Sequence, residues 1–569
     1  MVRRVAGPSA RVGGGRGAYG PRVEAINAGA PKRSVGPLGL TFVAVGGMVG
    51  SGILFAPLFA ARRAGPAAII AWPVGGLLML SIALVFAEVA AMLPVVGGLG
   101  RMPTFSHGRG VSIVVGWVAW VGYVTAAPIE TQAMLEYASN EPAFDWLFVA
   151  SSSADGESAL SLGGVVAAAV VMAAFVVLNA FGVAVFARFN TMLTWIKVLV
   201  PTVIALALLT RFSTDPIREQ GFAPEGLSGV LAAISSGGVV FAFLGFRHAL
   251  DMAGETRRPQ RTIPVALIGG IALCTVLFTV LQIGFVGALD PDQVARGWPE
   301  LQHGGANGPL AAILTALGMS LLAKTVIADA VIGPFGAGLV STASTGRLAV
   351  AVSEAGLFPP RIARFSMAGV PLPALVLNLV VGLVLLVGFR DGWSELLAFN
   401  SSAIVLSMCL GPITVLALRR QVPDRRRPLR LPALPVLARF AFVVVGLIVY
   451  WTGWDTMSRL AIPVVLGAAI LAWRVVHDRK LAATLDLHCV AWLGPYFVGL
   501  LVLAFAGRYG GGREWLPPGV DLAVVTGFGL IMFEWGLRSA LPASKAAALV
   551  AEVPPVTEAP PAPPGHKRA

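Results

Sequence analysis

Two short stretches carry the residue types that binding chemistry would need. The first, Gly46-Gly47-Met48-Val49-Gly50-Ser51-Gly52-Ile53, lies inside an apolar run over residues 37 to 60, where so many glycines let a helix unwind. Backbone amides and carbonyls freed in an apolar medium cost several kcal/mol unless they find partners, so such a break survives where it lines a cavity or holds a ligand. The half-helix that begins near Gly52 aims its positive amide end at the gap, an arrangement suited to the carboxylate of a small zwitterion. The same small residues also serve close helix packing. The second stretch, Phe241-Ala242-Phe243-Leu244-Gly245-Phe246, supplies another interruption. Carbonyls around Ala242 and Leu244 could accept hydrogen bonds from an ammonium, with Phe243 capping the pocket, although aromatic residues at this spacing also read as core.

Three basic residues, Lys197, Arg247 and Lys324, and two acids, Glu130 and Asp329, fall within apolar runs. Charges at that depth are costly and point to function. Arg247 follows the second stretch directly, and a guanidinium grips a carboxylate through two parallel hydrogen bonds. Its plain alternative is a pairing with Asp251, four residues on. Lys324 can snorkel from a helix end. Glu130 and Asp329 are either proton carriers or partners for a buried base. Cys274, Cys409 and Cys489 have neither disulfide nor metal-ligand spacing, and the six histidines form no metal motif. With no phosphate-binding loop and no nucleophile–base pair, the sequence supports no catalytic residue, metal, cofactor or ATP-driven pumping.

The elements that must hold these residues follow from composition. With 56% apolar residues, 12% charged ones and a mean hydropathy of +0.79, the 569 residues cannot cover a water-soluble fold. A bilayer core needs about 20 apolar residues per helix. Such runs occur at 37 to 60, 67 to 93, 111 to 134, 163 to 182, 190 to 210, 229 to 250, 263 to 289, 320 to 343, 371 to 388, 395 to 418, 437 to 453, 457 to 476, 487 to 507 and 521 to 540. The expected architecture is therefore an all-α integral membrane protein of about fourteen transmembrane helices. The two glycine-bearing stretches then sit in the first helix of each of two five-helix blocks. Corresponding interruptions in two halves point to an inverted-repeat transporter with a midplane site.

Residues 1–36 carry seven Lys or Arg and no apolar run, which predicts a disordered basic tail that is not a cleavable signal. The remainder divides into a ten-helix core over 37–418, a basic loop over 419–436, four further helices over 437–540 and a Pro-, Ala- and Glu-rich disordered tail over 541–569. Placing the amino terminus inside puts 30 of the 42 Lys and Arg in cytoplasmic segments and 9 outside. The run Arg419, Arg420, Arg425, Arg426, Arg427, Arg430 is the strongest inside marker, while the loop after the third helix carries Glu136, Glu141, Asp145, Asp155 and Glu157 without a base. An even helix count returns the carboxyl terminus to the cytoplasm. The net charge of +13 is met by lipid head groups and calls for no nucleic acid.

The chain resembles the amino acid-polyamine-organocation superfamily over most of its length. The likeness rests on Met48-Val49-Gly50-Ser51-Gly52-Ile53, on Phe86-Ala87-Glu88 followed by Leu93-Pro94-Val95-Val96-Gly97-Gly98, and on Ala253-Gly254-Glu255 followed by Arg258-Pro259-Gln260-Arg261-Thr262-Ile263-Pro264. It continues through Asp329-Ala330-Val331-Ile332-Gly333-Pro334-Phe335-Gly336-Ala337-Gly338 and Thr345-Gly346-Arg347. Within the superfamily it is most similar to the bacterial aspartate-proton symporter group, through Gly97-Gly98-Leu99-Gly100-Arg101-Met102-Pro103, Ser106-His107-Gly108, Gly297-Trp298-Pro299 and Tyr450-Trp451-Thr452-Gly453-Trp454.

The resemblance implies the leucine-transporter fold, five plus five helices as an inverted repeat, here with four added helices. It implies proton-coupled uptake of aspartate or a similar amino acid across the plasma membrane. Val49, Gly50, Ser51, Gly52, Phe241, Ala242, Phe243, Leu244, Gly245 and Arg247 then form the substrate site, and Lys197, Glu130 and Asp329 the proton-coupling set. Arg247 and His248 stand where many relatives carry an acid, which leaves the substrate open. The lysine at position 197 is expected to reach carbonyls near Gly46 or Gly47 when protonated and to release them when neutral. Its alternative is permanent pairing with an acid such as Asp329. Glu88, Glu255 and Arg261 are expected to tie cytoplasmic helix ends together. A neutral amino acid carrier or exchanger is the alternative within transport, and a transporter-fold nutrient sensor the alternative outside it.

Overall fold

The computed structural model describes residues 35–95, 97–139, 141–149, 159–181, 183–301, 308–366, 369–389 and 393–553, with the side chains of 183–189 excepted. Of the tails expected at 1–36 and 541–569, residues 1–34 and 554–569 lie outside the described residues.

Helix dominates, and the one sheet among the described residues is the two-stranded pairing of Phe148–Val149 with Ala159–Leu160. Twelve stretches are long and apolar enough to cross a membrane by length and composition. One of these, Ser51–Met92, contains both the second half of the first crossing, Ser51–Ala64, and the whole second crossing, Ala68–Met92. Leu372–Gly388, at 17 residues, is a further apolar helix. Each of the fourteen expected segments thus has a helical counterpart in an all-α multi-pass membrane protein.

The third crossing, Thr104–Ala138, and the eighth, Ser320–Ala355, pack along each other more extensively than any other pair. The tenth, Trp393–Gln421, is buried from Leu396 to Leu418. By contrast the twelfth, Trp454–His477, shows most of its apolar surface, including Ile462, Val465 and Val476. Exposed aliphatic faces of this kind are stable against lipid tails and not against water, which sets the outer rim of the molecule.

Two charged clamps close the end of the molecule that bears the basic loop. Glu88 on the second crossing is 1% exposed and accepts from Arg419 Nε and Nη2 at 2.8 and 2.7 Å and from the Leu431 amide at 2.9 Å. Its carboxylate thereby joins the second crossing to the tenth and to the loop before the eleventh, Leu434–Trp451. Glu255 pairs with Arg347 of the eighth crossing at 3.0 Å, and its backbone carbonyl accepts from Val35 at 3.1 Å. Val35 also accepts from the Arg257 amide at 2.8 Å, so the residues just before the first crossing are stitched to the turn after the sixth. Arg261 joins neither clamp and is exposed.

The tail expected from 541 onward requires a correction. Residues Ala543–Ala551 form a helix that buries Ala546 and Val550, and the Leu541 amide donates to Ser106 O at 2.8 Å. Its run of alanines has high helix propensity, and the apolar side finds a surface at the base of the third crossing.

Removing the Glu88 carboxylate strands a guanidinium and an amide in an apolar site, so Glu88→Ala is expected to destabilise the fold by about 3–5 kcal/mol. The half-exposed pair of Arg459 with Glu395 serves as the comparison, with Glu395→Ala expected to cost about 0–1 kcal/mol. Thermal unfolding of the two detergent-purified variants measures both.

Candidate substrate and proton site

The first crossing breaks where its glycines are densest. Its first half, Pro37–Met48, ends at Val49 (φ −92°, ψ 88°), Gly50 is extended the other way (φ −136°, ψ −143°), and helix resumes at Ser51. The amide end of this second half-helix is occupied by a side chain of the protein itself: Ser51 N donates to Glu130 Oε2 at 2.8 Å. A Cβ on Gly50 would lie 2.8 Å from both Glu130 Oε1 and Ala337 Cβ, so glycine alone lets the third and eighth crossings close on the break. The Ser51 hydroxyl is buried there without a hydrogen-bond partner.

Asn190, Thr194 and Lys197 share one face of the fifth crossing, Val183–Leu209, and turn it toward the first. Thr194 donates to Phe42 O at 3.3 Å and Lys197 Nζ to Gly46 O at 2.5 Å. Lys197 is 1% exposed and packs beside Gly336 of the eighth crossing. Its ammonium therefore takes one of the carbonyls that the break leaves without a helical partner. No ion pair joins it to Asp329.

The sixth crossing is interrupted in two places, not one. Helix Gly226–Ser235 gives way at Gly238, whose φ of +90° favours glycine, and resumes as Val239–Phe243. A 3₁₀ turn over Leu244–Phe246 follows before Arg247–Asp251. The expectation of one break at Phe241–Phe246 passed over Gly237-Gly238, whose paired glycines were the available signal. Gly245 lies directly against the Gly47–Met48 peptide, so the two interrupted helices touch backbone to backbone and any Cβ at 245 would overlap it.

Two of the roles assigned to this stretch also change. Phe243 does not face the break but packs edge-on against Trp72 and Phe278, because the short helix turns it toward the second and seventh crossings. The ring over Gly52 is Phe241, 3.2 Å from where a Cβ would stand, and it leans on Trp393 of the tenth crossing. The Leu244 carbonyl is already taken, by Arg247 Nη1 at 3.1 Å. Ala242 lies within reach of Gly52, its Cα 3.4 Å from the same point.

Arg247 is 4% exposed, lies over the Tyr123 ring at 4.4 Å and keeps its Nε without a partner. It forms no ion pair with Asp251, which instead accepts from the Tyr123 hydroxyl at 3.0 Å. The neighbouring His248 reaches Ser344 Oγ at 2.8 Å and covers Gly47. Tyr123 and Ser344 were not singled out from the sequence, and His248 only as standing where many relatives carry an acid; a tyrosine at membrane depth, whose hydroxyl must find a partner, was the signal for the first. Lys324 is exposed on its helix, and Asp329 is buried. The arrangement gathers interrupted backbone and ionisable side chains around the two broken helices.

Comparison with known proteins identifies the family. Residues 35–470 match the amino acid permease family, and the chain belongs to it. It is a permease and not an enzyme. It is 32% identical over 516 residues to the glutamate/serine transporter AimA of Bacillus subtilis (strain 168), covering 89% of this chain and 94% of that one. It is 31% identical over 521 residues to the aspartate-proton symporter of the same organism, with 90% and 97% covered. The branched-chain amino acid permease BcaP of that organism is more distant, at 26% over 443 residues.

Because Gly50 admits no side chain beside Glu130 and Ala337, Gly50→Val is expected to abolish binding of labelled amino acid while the protein still reaches the membrane. Gly52→Val, which presses only on Phe241 and Ala242, should do the same. Unchanged affinity in both would remove the break from the binding site.

Proposed function

We propose that this permease imports an acidic amino acid, aspartate or glutamate, by proton symport across the plasma membrane, with both chain ends cytoplasmic. The observation that carries the substrate class is Arg247, a buried guanidinium directly after the break of the sixth crossing that forms no ion pair with a carboxylate among the described residues. A cation so placed is stabilised by a ligand that brings the missing charge, and an acidic side chain does so with bidentate geometry. The names of the two most similar relatives mentioned above are in keeping with it. A carrier for small neutral amino acids is the second reading, favoured by the serine in one of those names and by the Tyr123 ring, which already stabilises the guanidinium.

In this scheme the substrate's α-carboxylate takes the Ser51 amide end now capped by Glu130. Its arrival requires Glu130 to withdraw, and a proton on Glu130 removes the charge that holds it there. Lys197, bonded to Gly46 O, holds the first half of the broken helix while protonated. Loss of that proton breaks the bond and frees the half-helix to move. The orientation follows the basic loop, with the Glu88 and Glu255 clamps on the cytoplasmic side.

Two variants test this. Arg247→Ala should weaken competition by aspartate and glutamate by about 10- to 100-fold, the worth of a charged hydrogen-bonded pair, while neutral amino acids compete as before. Equal loss of all ligands would make Arg247 structural. Lys197→Ala in proteoliposomes should lose accumulation driven by a pH gradient and keep gradient-free exchange. Intact accumulation would exclude Lys197 from coupling.

A further inference from the structure

We propose that Asp329 is the outer proton acceptor of the transport cycle, taking a proton from the external side and passing it to Lys197. This rests on the reading of Lys197 as the coupling group and adds the route by which its proton arrives.

Asp329 is 3% exposed, its Oδ1 is buried without a hydrogen-bond partner, and no ion pair to it is formed among the described residues. Other buried acids of the described core each accept from at least one donor: Glu88 from Arg419 and Leu431, Glu130 from Ser51, Glu255 from Arg347, and Asp251 from Tyr123 at Oδ2, although its Oδ1 is unpartnered; Asp329 accepts from none. An ionised carboxylate in such surroundings without a donor is strongly disfavoured, so Asp329 is a group that carries a proton or waits for one.

Its position gives that proton a destination. Asp329, Gly333, Gly336 and Ala337 lie on one face of the eighth crossing by their helical spacing. Ala337 meets Gly50 in the break, and Gly336 lies against Lys197 Nζ, 3.5 Å from where a Cβ would stand. Asp329 stands seven residues, about 10 Å along the axis, from Gly336 toward the end of the helix opposite the Glu255–Arg347 clamp. Between them a Cβ at Gly333 would meet nothing nearer than Asp329 Oδ2, at 4.0 Å, which leaves the carboxyl group room to swing down the helix. The titratable groups within electrostatic reach of it are Lys197 of the fifth crossing and Tyr137 of the third; Lys324 on its own helix is exposed.

In the step proposed, the Asp329 carboxylic acid gives its proton to the neutral Lys197 amine. One carboxylate and one ammonium result, so charge is conserved and the two products attract. The ammonium then bonds Gly46 O, and the Asp329 carboxylate is reset by a proton from outside.

The test uses the full chain in proteoliposomes with labelled aspartate, comparing wild type, Asp329→Asn, Asp329→Glu and Lys197→Ala. Asp329→Asn is expected to lower pH-gradient-driven accumulation by about tenfold or more, to keep counterflow within about twofold and to flatten the dependence of uptake on external pH. Asp329→Glu should recover accumulation with a shifted pH profile, which also shows that the Asn variant's defect is not misfolding. Wild-type accumulation by Asp329→Asn, or parallel loss of accumulation and counterflow in both Asp329 variants, overturns the assignment. So does a wild-type uptake driven equally by a sodium gradient and abolished in Asp329→Asn. If Lys197→Ala loses accumulation while Asp329→Asn keeps it, the route alone falls; if Lys197→Ala accumulates normally, the coupling scheme falls with it.

Discussion

The contact on which the site depends is that of two glycine backbones, Gly47 and Gly245, pressed together where the first and sixth crossings meet. Neither position tolerates a Cβ, and both helices depart from regular hydrogen bonding within a few residues of the contact. In a hydrocarbon medium those departures must be repaired locally. The repairs are made by ionisable side chains: Glu130 on the Ser51 amide, Lys197 on the Gly46 carbonyl, Arg247 on the Leu244 carbonyl. Charges that would be prohibitive elsewhere in the bilayer are retained because each satisfies backbone that would otherwise be orphaned.

Such repairs are reversible in a way that apolar packing is not. A carboxylate on a helix amide end can be replaced by another carboxylate, and an ammonium on a carbonyl can lose its proton. In the proposed function the bonds that hold the broken helices in place are also the ones a substrate or a proton exchanges, so stability and transport draw on one set of contacts.

Around this centre the four added helices act as a brace. Ser106 and His107, at the start of the third crossing, reach Thr414 and the Gly536 carbonyl, while Gln421 joins Ser106 O to Leu541 O. The third crossing turns at Gly108 (φ +81°), close to Asp486. These polar ties anchor the third and tenth crossings to the fourteenth, Val520–Arg538, and leave the twelfth crossing to face lipid.

Length, hydropathy and glycine density are local properties, and they determined the membrane class, the places of the crossings and the first break. The glycine run at 46 to 52 marks a break because no tertiary contact is needed to make consecutive glycines poor helix formers. The sequence likewise offered Lys197 and the Gly46 carbonyl as partners, through a resemblance and not through spacing. It could not say where a side chain points within a helix buried on all sides, since no polar face orients it. Thus Phe243 was assigned to the pocket and Phe241 was the ring that covers Gly52. Nor could it say that Leu244 O was already engaged, or that the amide end awaiting a carboxylate already held that of Glu130. Pairings between residues 79 positions apart, such as Ser51 with Glu130, are decided by how helices cross, and crossing is set by packing over the whole bundle.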